Sequence, residues 1–278
     1  MTVPPIVQTL PFVAWILLVT LAFGTFLFGA VTAETAPPTR GYLRFAAITA
    51  AILALLAWVV DTSLPAPTAD IVVRQPPADL DLVRRVALGG FVITSLIYAA
   101  VLSDRENRWA LGGLTLIAAG TALIAAAFSW APTAVDGVPL AVQLFTLSAI
   151  TGGSLAAIGL GHWYLVTPKL SERPLILQAR WLLWALVIQG LLFIVWTTLG
   201  GGVGQGAWDA LSGPSALLVW LRGLITIAFP IVLVYMAVRT AQTRSMESAT
   251  GLLYINLAAV MAGTIGAAAL YVSSGILV

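Results

Sequence analysis

Long apolar runs, separated by short polar connections, follow one another along the whole chain. A bilayer core of roughly 30 Å needs about 20 apolar residues per helix, and eight runs of about this length are present. Sustained alternation with period two is missing and Ala, Leu and Gly dominate the runs, which favours helices over a barrel. The pattern therefore predicts an all-α polytopic integral membrane bundle with eight transmembrane helices. The predicted spans are Pro11–Val31, Leu43–Val60, Val86–Leu102, Trp109–Trp130, Pro139–Val166, Leu175–Leu199, Pro214–Val238 and Ala249–Val272.

Composition excludes a soluble domain. Of the 278 residues, 60% are hydrophobic and 9% are charged, whereas soluble domains are about a quarter charged. The chain has no cysteine, so disulfides and thiolate chemistry are excluded. The small net charge of +2 describes the loops of a membrane protein and predicts no nucleic-acid partner. The predicted environment is a lipid bilayer.

The basic residues are sorted by side. Nine of the thirteen lie in, or within six residues of, the four odd-numbered connections between spans. By the positive-inside rule these connections are cytoplasmic, so both termini lie on the non-cytoplasmic side of a cell membrane, either inner or plasma membrane. The first apolar run has no preceding basic residue, which indicates a first span rather than a removed signal peptide. The nine residues are Arg40, Arg44, Arg105, Arg108, Lys169, Arg173, Arg180, Arg239 and Arg244.

Among the even-numbered connections, the long connection 61–85 is the one that contains basic residues, namely Arg74, Arg84 and Arg85. It contains Pro65, Pro67, Pro76 and Pro77 and alternating charges, and it is too rich in proline for a separate domain. Its end, Asp79–Arg85, predicts a short interfacial helix leading into the third span.

The two halves of the chain, 1–135 and 136–278, share an outline of four spans each. Tyr-x-Ala-x ends the third and seventh spans, at Tyr98 and Tyr235. A unit with an even number of spans repeats in parallel about an axis along the membrane normal. Apolar segments of low complexity also align by chance, so both a parallel 4+4 duplication within one transmembrane domain and a chance likeness stay open.

Acidic residues avoid the predicted spans. All eleven Asp and Glu side chains lie outside them, which counts against a cation-coupled transporter, because such proteins place a carboxylate at mid-membrane. No phosphate-binding loop, metal-ligand cluster or nucleophile–base pair is recognisable. No self-contained catalytic constellation is recognisable, so an enzymatic role stays open, and one interpretation is a non-catalytic subunit of a membrane oxidoreductase.

His162 is the single histidine and lies near the inner end of the fifth span, next to Gly161. Imidazole ligates haem iron or donates to a quinone oxygen, and the neighbouring glycine allows a planar ring to approach the helix. One histidine cannot supply two axial ligands, so Met236 or a histidine of another subunit would complete a haem b site. The alternative is that Gly153, Ala157 and Gly161 form a small-residue packing stripe, with His162 bonded to a neighbouring helix or a lipid headgroup.

Arg222 is a basic residue inside a span. It lies about 12 Å below the outer boundary of the seventh span at 1.5 Å per residue, and its sequence neighbours include no acid. A guanidinium at this depth needs an acceptor, which carbonyl groups, Gln189, a lipid phosphate, a cofactor carboxylate or a partner's acid would supply. His162 and Arg222 are predicted to lie in opposite leaflets.

Two functions remain open. The first is an integral membrane subunit of a larger redox or respiratory-type complex, structural and contributing to a haem or quinone site through His162, Gly161, Arg222 and Met236. Its partners would be other membrane subunits or a second copy of the chain. The second is a transporter or exporter of a neutral, lipophilic or anionic solute, with Arg222 near the path.

The orientation makes a direct prediction. Single cysteines introduced as Thr68→Cys and Ser171→Cys should react with a membrane-impermeant thiol reagent from opposite sides of the membrane, because the connections alternate in side. Labelling of both positions from one side would contradict the topology.

Overall fold

The computed structural model describes residues 5–67, 71–74, 77–102, 105–167 and 170–278, and it confirms the all-helical bundle. In the described part of the chain, eight helical segments are long and apolar enough to cross a membrane, so the protein is a polytopic membrane protein. A π-helical turn, Leu224–Ala228, joins α8 to α9, so that these three segments form the seventh span. The helices are α1 (Pro5–Thr35), α2 (Arg40–Thr62), α3 (Ala78–Ala100), α4 (Arg105–Trp130), α5 (Ala134–Val166), α6 (Arg173–Leu199), α7 (Asp209–Ser212), α8 (Ala216–Gly223), α9 (Phe229–Gln242) and α10 (Met246–Ser274).

Polar residues at the helix ends extend the helices beyond the apolar runs. Thr133 and Asp136 form a reciprocal capping box at the start of α5, and Gly200 ends α6 in the left-handed conformation at φ 74°. The helix α3 starts at Ala78, so Asp79–Arg85 form its first two turns. The segment is helical and leads into the third span, as predicted, and it is continuous with that span in one helix.

The helices α1 and α5 cross at the centre of the bundle and are its most buried spans. Their backbones touch at Gly24 and Gly152: a Cβ atom on Gly152 would lie 2.5 Å from the Gly24 Cα. The hydroxyl of Thr25 donates to the Gly152 carbonyl at 3.2 Å. Small residues allow such an approach, and the close contact then supplies the dispersion energy that holds helices together in lipid.

The other spans surround this pair in a regular way. The helix α1 packs against α2, α4 and α10, while α5 packs against α6, α10 and α4. Each packing pair of one half has a counterpart in the other: α1 with α2 corresponds to α5 with α6, and α1 with α4 corresponds to α5 with α10. A duplication would require this correspondence. The 4+4 duplication itself stays a prediction. Apolar side chains on the outer helices, such as Ile52, Val86 and Trp184, are exposed where a bilayer would contact them.

One end of the bundle, which we call the terminal face, carries the start of α1 and the end of α10. Here Arg74 donates to the carbonyl groups of Phe128, Ser129 and Pro132 and so caps the end of α4. The segment 276–278 folds back and is buried, and Gln143 donates to the Val278 carbonyl at 2.6 Å. Loop segments thereby close the bundle at this face. The prediction that the terminal face is non-cytoplasmic remains a prediction.

The central crossing makes Gly152 intolerant of a side chain. Gly152→Ala should lower the free energy of unfolding by about 3 kcal/mol, because the new methyl group meets backbone that cannot move aside. Thermal unfolding of the purified protein in a mild detergent measures the effect. The matched control is Gly266→Ala in α10, where a Cβ meets nothing within 4 Å; helix propensity should there leave stability unchanged or raise it slightly. Equal effects of the two substitutions would contradict the role of the crossing.

Candidate functional site

His162 lies in the last turn of α5, at the end of the bundle opposite the terminal face. Its side chain is exposed, whereas Gly161 before it and Tyr164 after it are buried. None of the described residues pairs with its imidazole. Nor do the described residues bring three Asp, Glu or His side chains together as a metal site. His162 therefore lies on the bundle surface without a partner among the described residues.

Gly161 and Met236 do not meet His162 in a common pocket. Gly161 faces Thr250 of α10, and a Cβ on Gly161 would lie 2.5 Å from the Thr250 hydroxyl. Met236 is 46% exposed on α9, which packs against α6 and α10 rather than against α5. The glycine serves close helix packing, and a planar ring has no access to its face within this chain.

Arg222 is buried near the terminal face, with 2% of its surface exposed. Its Nη1 donates to the Thr226 hydroxyl at 3.0 Å, and this hydroxyl in turn donates to the Arg222 carbonyl at 2.9 Å. The other two nitrogens, Nε and Nη2, are buried without a partner. A buried guanidinium with two of its three nitrogens unpaired is energetically costly, since it has lost its hydration without a full replacement.

The π-helical turn that follows Arg222 has a local cause. Pro230 has no N–H to donate, so regular α-helical bonding is interrupted one turn before it. The Phe229 N–H instead bonds to the Leu224 carbonyl, five residues earlier. Such insertions are rare and are often found at functional sites.

One further amide of the second half, that of Gln189 on α6, lies at the depth of the Arg222 side chain. Gly190 faces Ile227 and Phe193 faces Gly223, which places Gln189 at the level of the π-helical turn. Both amide atoms of Gln189 are buried without a partner. We call Arg222, Thr226 and Gln189, together with Gly263, the Arg222 cluster.

The helix α10 completes the cluster. A Cβ on Gly263 would collide with the guanidinium of Arg222 and with Thr226, so only glycine leaves room for the arginine here. The next residue, Thr264, shares a hydrogen bond of 2.6 Å with Thr151 of α5. Two turns deeper on α10, Asn256 donates to Ser154 at 2.7 Å. Hydroxyl and amide groups thus line the contact between α5 and α10, but they bring no negative charge to Arg222.

A charged cluster in the first half was not predicted. Arg84 and Arg85 both bond to Asp61, at 2.6 and 2.9 Å, and both also pair with Asp81. Asp61 and Arg84 are 0% and 1% exposed. Asp61 was assigned to a loop, but it lies in the last turn of α2. The helices extend beyond the predicted apolar spans, so α2 includes Asp61, just as α1 includes Glu34 and α3 includes Asp79 and Asp81.

Aromatic rings enclose the Arg84 guanidinium. It lies 5.4 Å from the ring centre of Trp130 and 6.0 Å from that of Trp15, which is a cation–π geometry. The charged cluster borders a cavity of about 210 Å³. A separate cavity of about 390 Å³ lies beside Tyr164 and Arg244. The two arginines and the two acids neutralise each other. Their ion pairs join α2 to α3, and the cation–π contacts of Arg84 join α3 to the rings of α1 and α4.

The charged cluster predicts that an amide in place of the Asp61 carboxylate strongly lowers the stability of the protein. Asp61→Asn should destabilise the protein by roughly 3–5 kcal/mol, because it leaves a buried guanidinium without its main counter-charge. The matched control is Asp79→Asn, since Asp79 is exposed on the same helix as the arginines, and it should stay within about 0.5 kcal/mol of the wild type. Denaturation in a mild detergent measures both effects. An Asp61→Asn variant as stable as the wild type would contradict the stabilising role of the charged cluster.

No family model, curated protein or solved structure matches the chain.

Proposed function

We propose that the protein is an integral membrane subunit of a larger redox-type complex, in which His162 contributes to a haem b or quinone site at a subunit interface. One observation carries the proposal: the imidazole of His162 is exposed on the bundle surface and has no partner among the described residues. An imidazole in that position is available to a group held between this chain and a neighbour.

The polar residues of the core support this interpretation by contrast. Gln178 donates to the Thr32 hydroxyl at 2.7 Å and to the Tyr42 hydroxyl at 3.0 Å, and all three side chains are buried. This network pairs buried polar side chains of α1, α2 and α6. His162 takes no part in it: its imidazole is exposed near the end of α5 and has no partner among the described residues. A partner subunit or cofactor would supply one.

The proposed site needs a second contributor. Thr250 covers the face of Gly161, and Met236 lies on a helix that does not pack against α5. Neither residue is thus placed to act with His162 on one iron. A second axial ligand, or the opposite wall of a quinone pocket, would come from another membrane subunit or from a second copy of the chain, and the chain's role would be non-catalytic.

A second candidate is a transporter of an anionic or lipophilic solute. The observation that favours it is the buried, incompletely paired guanidinium of Arg222. An intramembrane arginine without a counter-charge is typical of a site that meets an anion on its path. His162 has no role in this candidate.

The subunit proposal predicts a spectroscopic signal. The protein, isolated from its own membranes in a mild detergent with its partners attached, should show a reduced-minus-oxidised b-type haem spectrum or contain bound quinone. His162→Ala should abolish either one, whereas His162→Gln should abolish the haem signal but retain quinone, because an amide replaces the hydrogen bond but not the iron ligand.

The control for this experiment is Tyr235→Ala, which removes another exposed ring, 54% exposed on α9, and should leave the signal unchanged. A chain that is isolated alone, without haem and without quinone, would contradict the proposal. So would a signal that survives His162→Ala.

A further inference from the structure

We propose that the Arg222 cluster is a binding site for a monocarboxylate. The site lies at the terminal face, far from His162, so it goes beyond the proposed subunit function and does not depend on it. For the transport candidate it would name the class of solute.

The first argument is a comparison of two arginines within the chain. Counted from Ala78 and from Ala216, Arg84 and Arg222 are each the seventh residue of their helix, and their exposed fractions are 1% and 2%. Arg84 receives two carboxylates and two indole rings. Arg222 receives one threonine hydroxyl. At Arg84 the fold surrounds a buried guanidinium with carboxylates and aromatic rings. Arg222 has no carboxylate partner among the described residues.

The helix ends differ in the same way. The helix α2 carries Asp61 one residue before its end and directs it at Arg84. The helix α6 carries Thr198 at the corresponding place, one residue before Leu199, and the Thr198 hydroxyl bonds back to the carbonyl of Ile194. The second half therefore lacks the acid that α2 supplies in the first half.

The donors that remain define the ligand chemistry. Nε and Nη2 of Arg222 and the amide Nε2 of Gln189 are buried donors without an acceptor. A carboxylate accepts two parallel hydrogen bonds from a guanidinium, which is the strongest pairing open to this side chain. Because one positive charge is buried here, a monoanion neutralises it, whereas a doubly charged phosphate or sulfate would leave a net buried negative charge.

The surroundings favour an organic acid. On the same span as Arg222, Val219 and Ile227 are buried, and Phe193 packs against the neighbouring Gly223. On the same helix Leu218 and Leu221 are exposed towards the membrane. A carboxylate with an apolar tail satisfies both the donors and this environment. It would come either from the aqueous phase, as a short-chain acid, or from the bilayer, as a fatty acid.

Ligand entry requires a local movement, since Arg222 is closed off in this structure. The helix α8 has only eight residues, and the π-helical turn separates it from α9. Displacement of α8 from α10 at Gly263 would expose the guanidinium without disturbing the central pair α1 and α5.

The test measures thermal unfolding of the full-length protein in a neutral detergent, at constant ionic strength, with chloride replaced stepwise by acetate or decanoate. A ligand that binds only the folded state raises Tm by mass action, and we expect a saturable rise of roughly 5 °C at high occupancy. Arg222→Gln should abolish the rise. Gln189→Glu is nearly isosteric and introduces a carboxylate at the depth of the guanidinium; it should pair with Arg222, raise Tm without ligand and abolish the response.

The matched control is Arg180→Gln, which removes an exposed arginine of α6 and should retain the full response. If Arg222→Gln cannot be purified, Gln189→Glu gives the decision alone. A response to both acids indicates an aqueous ligand, and a response to decanoate alone indicates a bilayer fatty acid; both support the site. A wild-type Tm that stays the same when either acid replaces chloride would overturn it, and so would an equal rise in Arg222→Gln.

The experiment also separates this site from the subunit proposal. His162→Ala should retain the response to carboxylate, because it changes a residue at the opposite end of the bundle. Loss of the haem or quinone signal with an intact Tm response would leave the Arg222 site standing.

Discussion

The close crossing of α1 and α5 at Gly24 and Gly152 is the contact on which the rest of the bundle depends. Water drives apolar surfaces together in soluble proteins, but lipid offers no such force between apolar helices. Association must then come from close packing and from interhelical hydrogen bonds. The two glycines bring the backbones into contact, and Thr25 adds a bond across the crossing to the Gly152 carbonyl. Every other span packs, directly or through one neighbour, on this pair.

Polar side chains that lie between helices determine which spans neighbour one another. The Tyr42–Gln178–Thr32 bonds join α2 and α6 to α1, and the Thr151–Thr264 and Ser154–Asn256 bonds join α5 to α10. Each bond is local, but together they bind the two halves across the centre. A hydrogen bond of this kind contributes about 0.6 kcal/mol on average in a membrane protein. These bonds therefore contribute more to determining which helices pack together than to the stability of the bundle.

Much of the fold could be predicted from the sequence, because hydrophobicity decides where a chain crosses a bilayer. All eight spans follow from run length, and their ends differ from the structure by the capped or charged turns that extend each helix. Asp61 was missed for this reason: the apolar run ends at Val60, and the arginine that neutralises the acid lies 23 residues further along the chain. No local pattern links the two.

The candidate residues were predicted by type, but their directions were not. In a soluble helix the polar face indicates the exposed side, whereas in a membrane helix apolar residues occupy both the exposed and the buried sides. The sequence around His162 therefore does not show that its side chain is exposed, nor does the sequence around Arg222 show that its side chain is buried against α10. Side-chain direction was set by tertiary packing.

The two arginines of the terminal face show why burial alone does not reveal function. Arg84 is as buried as Arg222, but its charge is cancelled by acids of its own chain, and the result is a rigid joint between helices. The charge of Arg222 is cancelled by nothing among the described residues. An ion pair that the chain completes by itself has no need of a ligand. A buried charge without a counter-charge makes folding more costly, and an anion that pairs with it recovers part of that free energy. The unpaired residue is therefore the one from which a ligand can be inferred.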